Sequence, residues 1–287
     1  MAAKSNIQWT DATWNIARGC TKVDQDCKYC YMYRDSMDST RYDPLAVIRT
    51  KTVFDFPLKY KETKSTCWDG PPLIFTSSLT DVFHPAIDSY RNEMWDIIRR
   101  CPHLIFQILT KRPERIAAHL PEYWDEIKSR VWLGTSVGSQ AGGPRALELI
   151  KLRKIASVLF LSLEPLHSEI NFRWKYAPDP EERRIVKIDG EIKTQISQHE
   201  LLMNIDWVIV GGESGNERGP YRYRACKLEW IEQMITHCKE AGTPVFVKQL
   251  GTHLSKKLKL SDRHGGNISE FPDHLRIREF PKFVGKP

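Results

Sequence analysis

Six short stretches of the chain are apolar almost without interruption: LIFTSS (73–78), LIFQILT (104–110), VWLGTSV (131–137), VLFLSLE (158–164), DWVIVGGE (206–213) and PVFVKQ (244–249). A strand with one wet face alternates apolar and polar positions. Continuous runs of this length instead suit strands buried on both faces, as in a parallel sheet. Between most of the runs the pattern becomes helical. Tyr90, Met94, Ile97 and Ile98 fall on one face of a helix predicted over 89–101 with Asp88 as its cap, and similar helices are predicted over 144–155 and 228–241. With one more strand predicted at 13–18, roughly seven β/α units follow in sequence order, which predicts an α/β fold and favours a full or partial (β/α) TIM-type barrel. A doubly wound open sheet is the alternative.

The pattern breaks over 171–204. There RRIVKIDGEIKTQI holds two strand-like runs around Asp189-Gly190, a residue pair suited to a tight hairpin turn. The expected organisation is one α/β barrel domain over 1–250 with a β-hairpin insertion at 171–204, followed by an irregular extension over 251–287.

Composition narrows the class. At 287 residues, 41% hydrophobic and 28% charged, the chain has the balance of a soluble globular protein, not of a disordered or membrane one. No run of about 18 apolar residues occurs, and the N-terminal stretch lacks the apolar core of a signal peptide, which predicts a cytoplasmic protein with no membrane partner. A net charge of +7 is compatible with a polyanionic partner, and part of it is local, in Lys256, Lys257, Lys259 and Arg263.

Seven cysteines in so long a chain are too sparse for a disulfide scaffold. Cys67, Cys101, Cys226 and Cys238 are scattered and read as packing residues, but RGCTKVDQDCKYCYM sets Cys20, Cys27 and Cys30 on one short loop. Three thiolates can hold three irons of a 4Fe-4S cubane and leave the fourth open to a small molecule. The alternatives are a zinc site built on Cys20, Cys27, Cys30 and His84 or a distant cysteine, and a redox dithiol at Cys27 and Cys30.

Cys27, Lys28, Tyr29 and Cys30 resemble the second half of the radical S-adenosylmethionine (SAM) signature, C-x-x-x-C-x-Φ-C, with Tyr29 in the aromatic position. Six residues separate Cys20 from Cys27 where that family usually has three. Over nearly its whole length the chain is similar to a phage-associated three-Cys-motif family of radical-SAM-like proteins. The likeness is carried by IQWTDATWN, GCTKV with CKYCY, SSLTDVFH, FQILTKRPER, VWLGTSV, SLEPL, DWVIVGGESG and VFVKQLG. The resemblance implies a barrel, a 4Fe-4S cluster on Cys20, Cys27 and Cys30, SAM as cofactor, and an external one-electron donor such as flavodoxin or ferredoxin.

In an α/β barrel the site lies at the C-terminal ends of the strands, and polar residues end most of the apolar runs here. Ser77, Ser78, Thr80 and Asp81 follow one strand, Lys111 and Arg112 the next, then Thr135 and Ser136, Glu164, Glu213, and Lys248 with Gln249. By resemblance, Ser78, Thr80 and Asp81 would receive the ammonium group of SAM, Lys111 or Arg112 its carboxylate, and Ser136 its ribose hydroxyls. GGESG (211–215) lacks the full dinucleotide fingerprint and reads as a backbone platform for adenine or substrate, with Glu213 turned inward. Trp9 and Trp14 flank the strand before the cysteine loop and are candidates to shield it. The expected function is radical SAM cleavage followed by hydrogen abstraction from a substrate, a nucleotide or nucleic acid being one candidate. The alternative is a zinc-stabilised nucleic-acid-binding module without catalysis.

Overall fold

The computed structural model describes residues 5–35, 43–172, 174–175, 186–188, 191–193, 195–219 and 222–282. Two compact units divide the chain, one made of Met1–Thr135, Arg218–Arg222 and Lys282–Pro287, the other of Ser136–Glu217 and Tyr223–Pro281. The division falls inside the 1–250 span read from sequence as one domain.

In the first unit, strands β1 (Ala12–Trp14), β2 (Ala17–Arg18), β3 (Ile48–Arg49), β4 (Leu73–Thr76), β5 (Ile105–Thr110) and β6 (Val131–Ser136, which runs up to the division) accompany helices α1 (Tyr31–Asp35), α2 (Phe56–Lys59), α3 (Arg91–Arg99) and α4 (Trp124–Ile127). β1 pairs in parallel with β4, β4 with β5, and β5 with β6. All four positions of β4 and all six of β6 are buried, as continuous apolar runs require. α3 buries Met94, Ile97 and Ile98 of the predicted stripe together with Trp95, while Tyr90 is half-buried at the N-cap. Fully burying an Ile or Leu side chain contributes about 1.5–3 kcal/mol relative to leaving it exposed.

The second unit carries β7 (Val158–Leu163), β8 (Trp174–Lys175), β9 (Val186–Ile188), β10 (Glu191–Lys193), β11 (Gln195–Ile196), β12 (Trp207–Gly211) and β13 (Val245–Gln249). Its helices are α5 (Pro144–Ile150), α6 (Gln198–Met203), α7 (Leu228–Ala241) and α8 (Gly251–Lys257). β12 lies between β7 and β13, parallel to both. α7 buries Ile231, Met234, Ile235 and Cys238, and ends on Gly242 at φ 69°, whose N–H bonds back to the helix. The chain is thus mixed α/β with seven parallel strands. β9 and β10 pair antiparallel with Ile188 opposite Glu191, the hairpin the insertion predicts; Asp189 and Gly190 lie outside the described residues.

Several boundaries differ from the pattern. The strand expected over 13–18 ends at Trp14, because Asn15 turns its side chain onto the next strand's end, and Ala17–Arg18 pairs instead with Ile48–Arg49. Asp88 does not cap α3; Tyr90 holds that position without a side-chain bond, while Asp88 binds Arg91 and Arg115. α5 stops at Ile150, five residues short of its predicted end. The stretch after 250 is ordered through α8, and Phe271 and Leu275 are buried in the core. Trp9 and Trp14 are core residues too, Trp9 against Phe75 and Trp14 against Phe54 and Phe106. Among the described residues no helix is long and apolar enough to cross a membrane.

Candidate functional site

The cysteine loop opens at Gly19. Its φ is 90°, and a Cβ there would meet the Ala46 carbonyl oxygen at 2.1 Å, so both conformation and space demand glycine. The Cys20 N–H donates to the Pro44 carbonyl at 3.0 Å. Asp24 then accepts from the Asp26 N–H and caps a single turn over Gln25–Cys27. The Cys30 N–H donates to the Cys27 carbonyl at 3.3 Å, and α1 begins at the next residue. Cys27 is buried, while Cys20 and Cys30 are half-buried.

Two side chains close the loop on itself and on the sheet. The Tyr33 hydroxyl donates to the Cys20 carbonyl at 2.5 Å. That phenol is pushed well above its usual pKa, by burial first and then by the neighbouring charges of Cys20, Cys27 and Cys30, so all three thiols lie within its electrostatic reach. Arg112 Nη2 donates to both the carbonyl and the hydroxyl of Thr21, each at 3.0 Å, and Nη1 donates to Asp81 at 3.0 Å. Burial, followed by the Asp81 charge, pushes the Cys20 thiol up, and the Arg112 guanidinium pulls it partly back.

Asp81 is a hub. It accepts from the Phe83 N–H, the Thr110 hydroxyl, the Lys111 N–H and Arg112, so its carboxylate is committed to joining the ends of β4 and β5 to the loop. His84 accepts the Ala86 N–H on Nδ1 at 3.1 Å, which places the ring proton on Nε2, 2.9 Å from the Thr21 hydroxyl. Burial, then the Arg112 charge, lowers the His84 pKa. Both ring nitrogens are thus hydrogen-bonded within the protein.

At the end of β1, the Asn15 side-chain oxygen accepts from Ser77 Oγ, the Ser78 N–H, Ser78 Oγ and the Leu79 N–H. Tyr31 from α1 donates to the Ser78 carbonyl at 2.5 Å. Thr80 Oγ1 in the same turn is buried and has no hydrogen-bond partner among the described residues, an orphan of the kind folding usually compensates. Lys111 is half-buried, and its ammonium forms no ion pair among the described residues. Tyr29 carries the Lys28 ammonium 5.3 Å above its ring centroid.

The remaining candidates belong to the second unit. β12 and β13 change register between Val210 and Gly211, which face Val247 and Gln249, so Lys248 is the extra residue of a β-bulge. The bulge aims its ammonium at Glu164, at 2.6 Å, both side chains being largely buried. Glu213 binds Arg224 through two side-chain bonds of 2.8 and 2.9 Å and also accepts the Arg224 N–H. The glycine pair before it has a packing cause: a Cβ on Gly212 would lie 2.2 Å from the Leu250 carbonyl oxygen. Ser136 is buried, and its carbonyl accepts from Arg145, whose pKa burial lowers to about 10. Burial likewise pushes the Cys226 and Cys238 thiols up to about 12, as packing residues behave.

Sequence reasoning did not single out Asn15, Thr21, Thr110, Arg224 or the positioning role of Tyr33. Asn15, Thr21 and Thr110 each sit one residue past, or at the end of, a motif or strand, which is the signal that marks them. Arg224 carries none, since its pairing with Glu213 spans eleven residues of irregular chain.

Among the described residues no three His, Cys, Asp or Glu side chains stand at the spacing that one metal ion requires. The corners of a cubane are further apart than the ligands of a single ion. Cys20, Cys27 and Cys30 share one folded loop, with the buried Thr80 hydroxyl in the turn after β4 and the half-buried Lys111 directly after β5.

A mixed α/β protein with a three-thiol loop following its first parallel strand is the class these features define. The chain belongs to the family described as protein of unknown function DUF5131, whose profile matches residues 4–274. No curated protein and no solved structure matches the chain.

Proposed function

We propose that this chain is a radical SAM enzyme whose 4Fe-4S cluster is carried by Cys20, Cys27 and Cys30. The reading includes a cytoplasmic location, the partial-barrel arrangement that the resemblance implies, and a one-electron donor of the flavodoxin or ferredoxin kind. The observation that carries it is the closure of the loop: Tyr33 on the Cys20 carbonyl and Arg112 on Thr21 hold three thiols on a loop already folded. When bound, such a cluster supplies one-electron reduction of the SAM sulfonium, and hence a radical able to take hydrogen from unactivated carbon.

The protein's own residues bind and orient. The Thr80 hydroxyl is an acceptor without a donor, suited to an ammonium, and the Lys111 ammonium is a cation suited to a carboxylate. Asp81 and Arg112 act on the loop as positioning residues, and burial keeps water from Cys27, with Cys20 and Cys30 half-buried. A nucleotide or nucleic acid is one candidate substrate in this reading, a small metabolite or peptide the other.

Anaerobic reconstitution with iron and sulfide, then reduction with SAM present, tests the proposal. Iron uptake near four per chain is expected from the stoichiometry of one cubane, about four irons, together with released 5′-deoxyadenosine. Cys30→Ala should abolish iron uptake and keep the far-UV circular dichroism of the wild type. Zinc bound without iron in protein purified free of air, or an iron-loaded protein that leaves SAM intact, would overturn it.

A further inference from the structure

The last 37 residues hold eight Lys and Arg against four Asp and Glu, a net +4 of the chain's +7. Charge at a chain end is commonly a solvated tail, but here it sits on a fixed frame. α8 closes in a Schellman turn, with the Lys259 N–H on the Lys256 carbonyl at 3.1 Å and the Leu260 N–H on the Ser255 carbonyl at 2.9 Å. The following loop is pinned from within. Asp262 accepts the N–H groups of His264, Gly266 and Asn267, Glu270 accepts those of Ser261 and Asp262, and Ser255 donates to the Asp262 carbonyl. The two acids of this segment therefore face its own backbone.

The cations lie on the surface. Lys256, Lys257, Lys259 and Arg263 are exposed. Lys256 pairs with Glu217, whereas Lys257, Lys259 and Arg263 form no ion pair among the described residues. The helix dipole favours cations in the last turn, which accounts for Lys256 and Lys257. It does not account for Arg263, nor for a lysine at the C′ position, where φ is 55° and glycine is the residue that carries no strain. A left-handed backbone that carries an ammonium with no ion pair among the described residues, two residues after one such cation and four before another, is an arrangement that a purely structural turn has no need of.

We propose that Lys257, Lys259 and Arg263 form a preorganised surface that binds the phosphodiester backbone of a nucleic acid. The recognition is by charge, three cations to three phosphates, without base readout. A phospholipid surface fits less well. Docking on a membrane normally adds apolar insertion, and among the described residues the exposed large apolar side chains, Val23, Tyr31, Leu45, Ile48, Ile155 and Met203, all lie outside this segment. The inference does not depend on the three-cysteine reading, since the surface needs neither cluster nor SAM.

Fluorescence anisotropy of the full chain with a labelled single-stranded DNA of about 30 nucleotides, and with its duplex, tests it. Three contacts on a single strand predict a slope of log K against log[salt] near −2, a roughly twentyfold loss between about 50 and 200 mM salt. The triple variant Lys257→Glu, Lys259→Glu, Arg263→Glu should weaken binding at least tenfold and flatten that slope. Lys61→Glu, Lys64→Glu, Lys154→Glu, an equal charge change at other exposed positions, should leave the slope in place. Lys259→Gly relieves the backbone while removing one charge, so it should melt no lower than wild type yet bind more weakly. Absence of salt-dependent binding, equal weakening by both triple variants, or preference for phosphatidylserine vesicles over either DNA would overturn the proposal.

Discussion

Arg112 Nη2 stands 3.0 Å from both the carbonyl and the hydroxyl of Thr21, the residue after Cys20, while Nη1 stands 3.0 Å from Asp81. One buried guanidinium thus fixes the cysteine loop to the C-terminal ends of β4 and β5.

Removing that guanidinium leaves Asp81 buried with three of its four donors. Arg112→Met should lower unfolding stability by about 3 kcal/mol, the low end of the range for breaking one side of a buried pair. The double variant with Asp81→Asn should lose at least about 1 kcal/mol less than the two single losses summed, because the partners touch. Urea midpoints of the four proteins measure both quantities; strict additivity would show that the two groups act separately.

His84 gives stability a pH dependence of predictable sign. Its folded pKa lies below the ordinary imidazole value of 6.5, through burial and then Arg112, so the unfolded chain takes up the proton more readily. Its contribution is complete above about pH 6.5 and is lost as the pH falls toward the folded value. His84→Asn can still accept the Ala86 N–H and has no proton to gain. The difference in urea midpoint between wild type and variant should therefore narrow from about pH 7.5 to about pH 5. A constant difference would mean that the ring does not titrate in this window.

Gly212 and Gly242 are required for different reasons, and alanine separates them. At Gly212 the added carbon meets the Leu250 carbonyl oxygen at 2.2 Å, whereas at Gly242 no atom lies within 4 Å but φ is 69°. Gly212→Ala should cost about 3 kcal/mol, the upper part of the overpacking range, and Gly242→Ala about 1 kcal/mol, the left-handed penalty alone. Thermal denaturation of both variants makes the comparison. Equal losses would remove the case for a forced close approach of β12 to the residue after β13.

The long parallel strands were readable because burial on both faces leaves no room for polar alternation, and β5 through β7, β12 and β13 lie within a residue or two of their apolar runs. The first strand was overextended because Asn15 reads as one polar residue in a strand, while its role depends on donors 62 or more residues away. Helix α7 was clear for the same reason that α5 was not. Buried positions at Ile231, Met234, Ile235 and Cys238 and a terminal glycine mark the one, whereas the other starts on a proline and has no glycine at its end. The three cysteines and the polar strand ends stood out by spacing. What each polar group touches did not: Asp81 as a hub, Lys248 as a bulged residue and Glu213 as the partner of Arg224 follow from register and from contacts remote in sequence.

The single bond from Tyr33 to the Cys20 carbonyl makes a ring of the chain that contains all three thiols. Drawing two points of a flexible chain together removes configurational freedom roughly as the logarithm of the intervening length. Here that loss belongs to folding and is complete before anything binds. If the proposed cluster is the ligand, it meets a noose already tied, and its affinity reflects bond formation with little further ordering of the polypeptide.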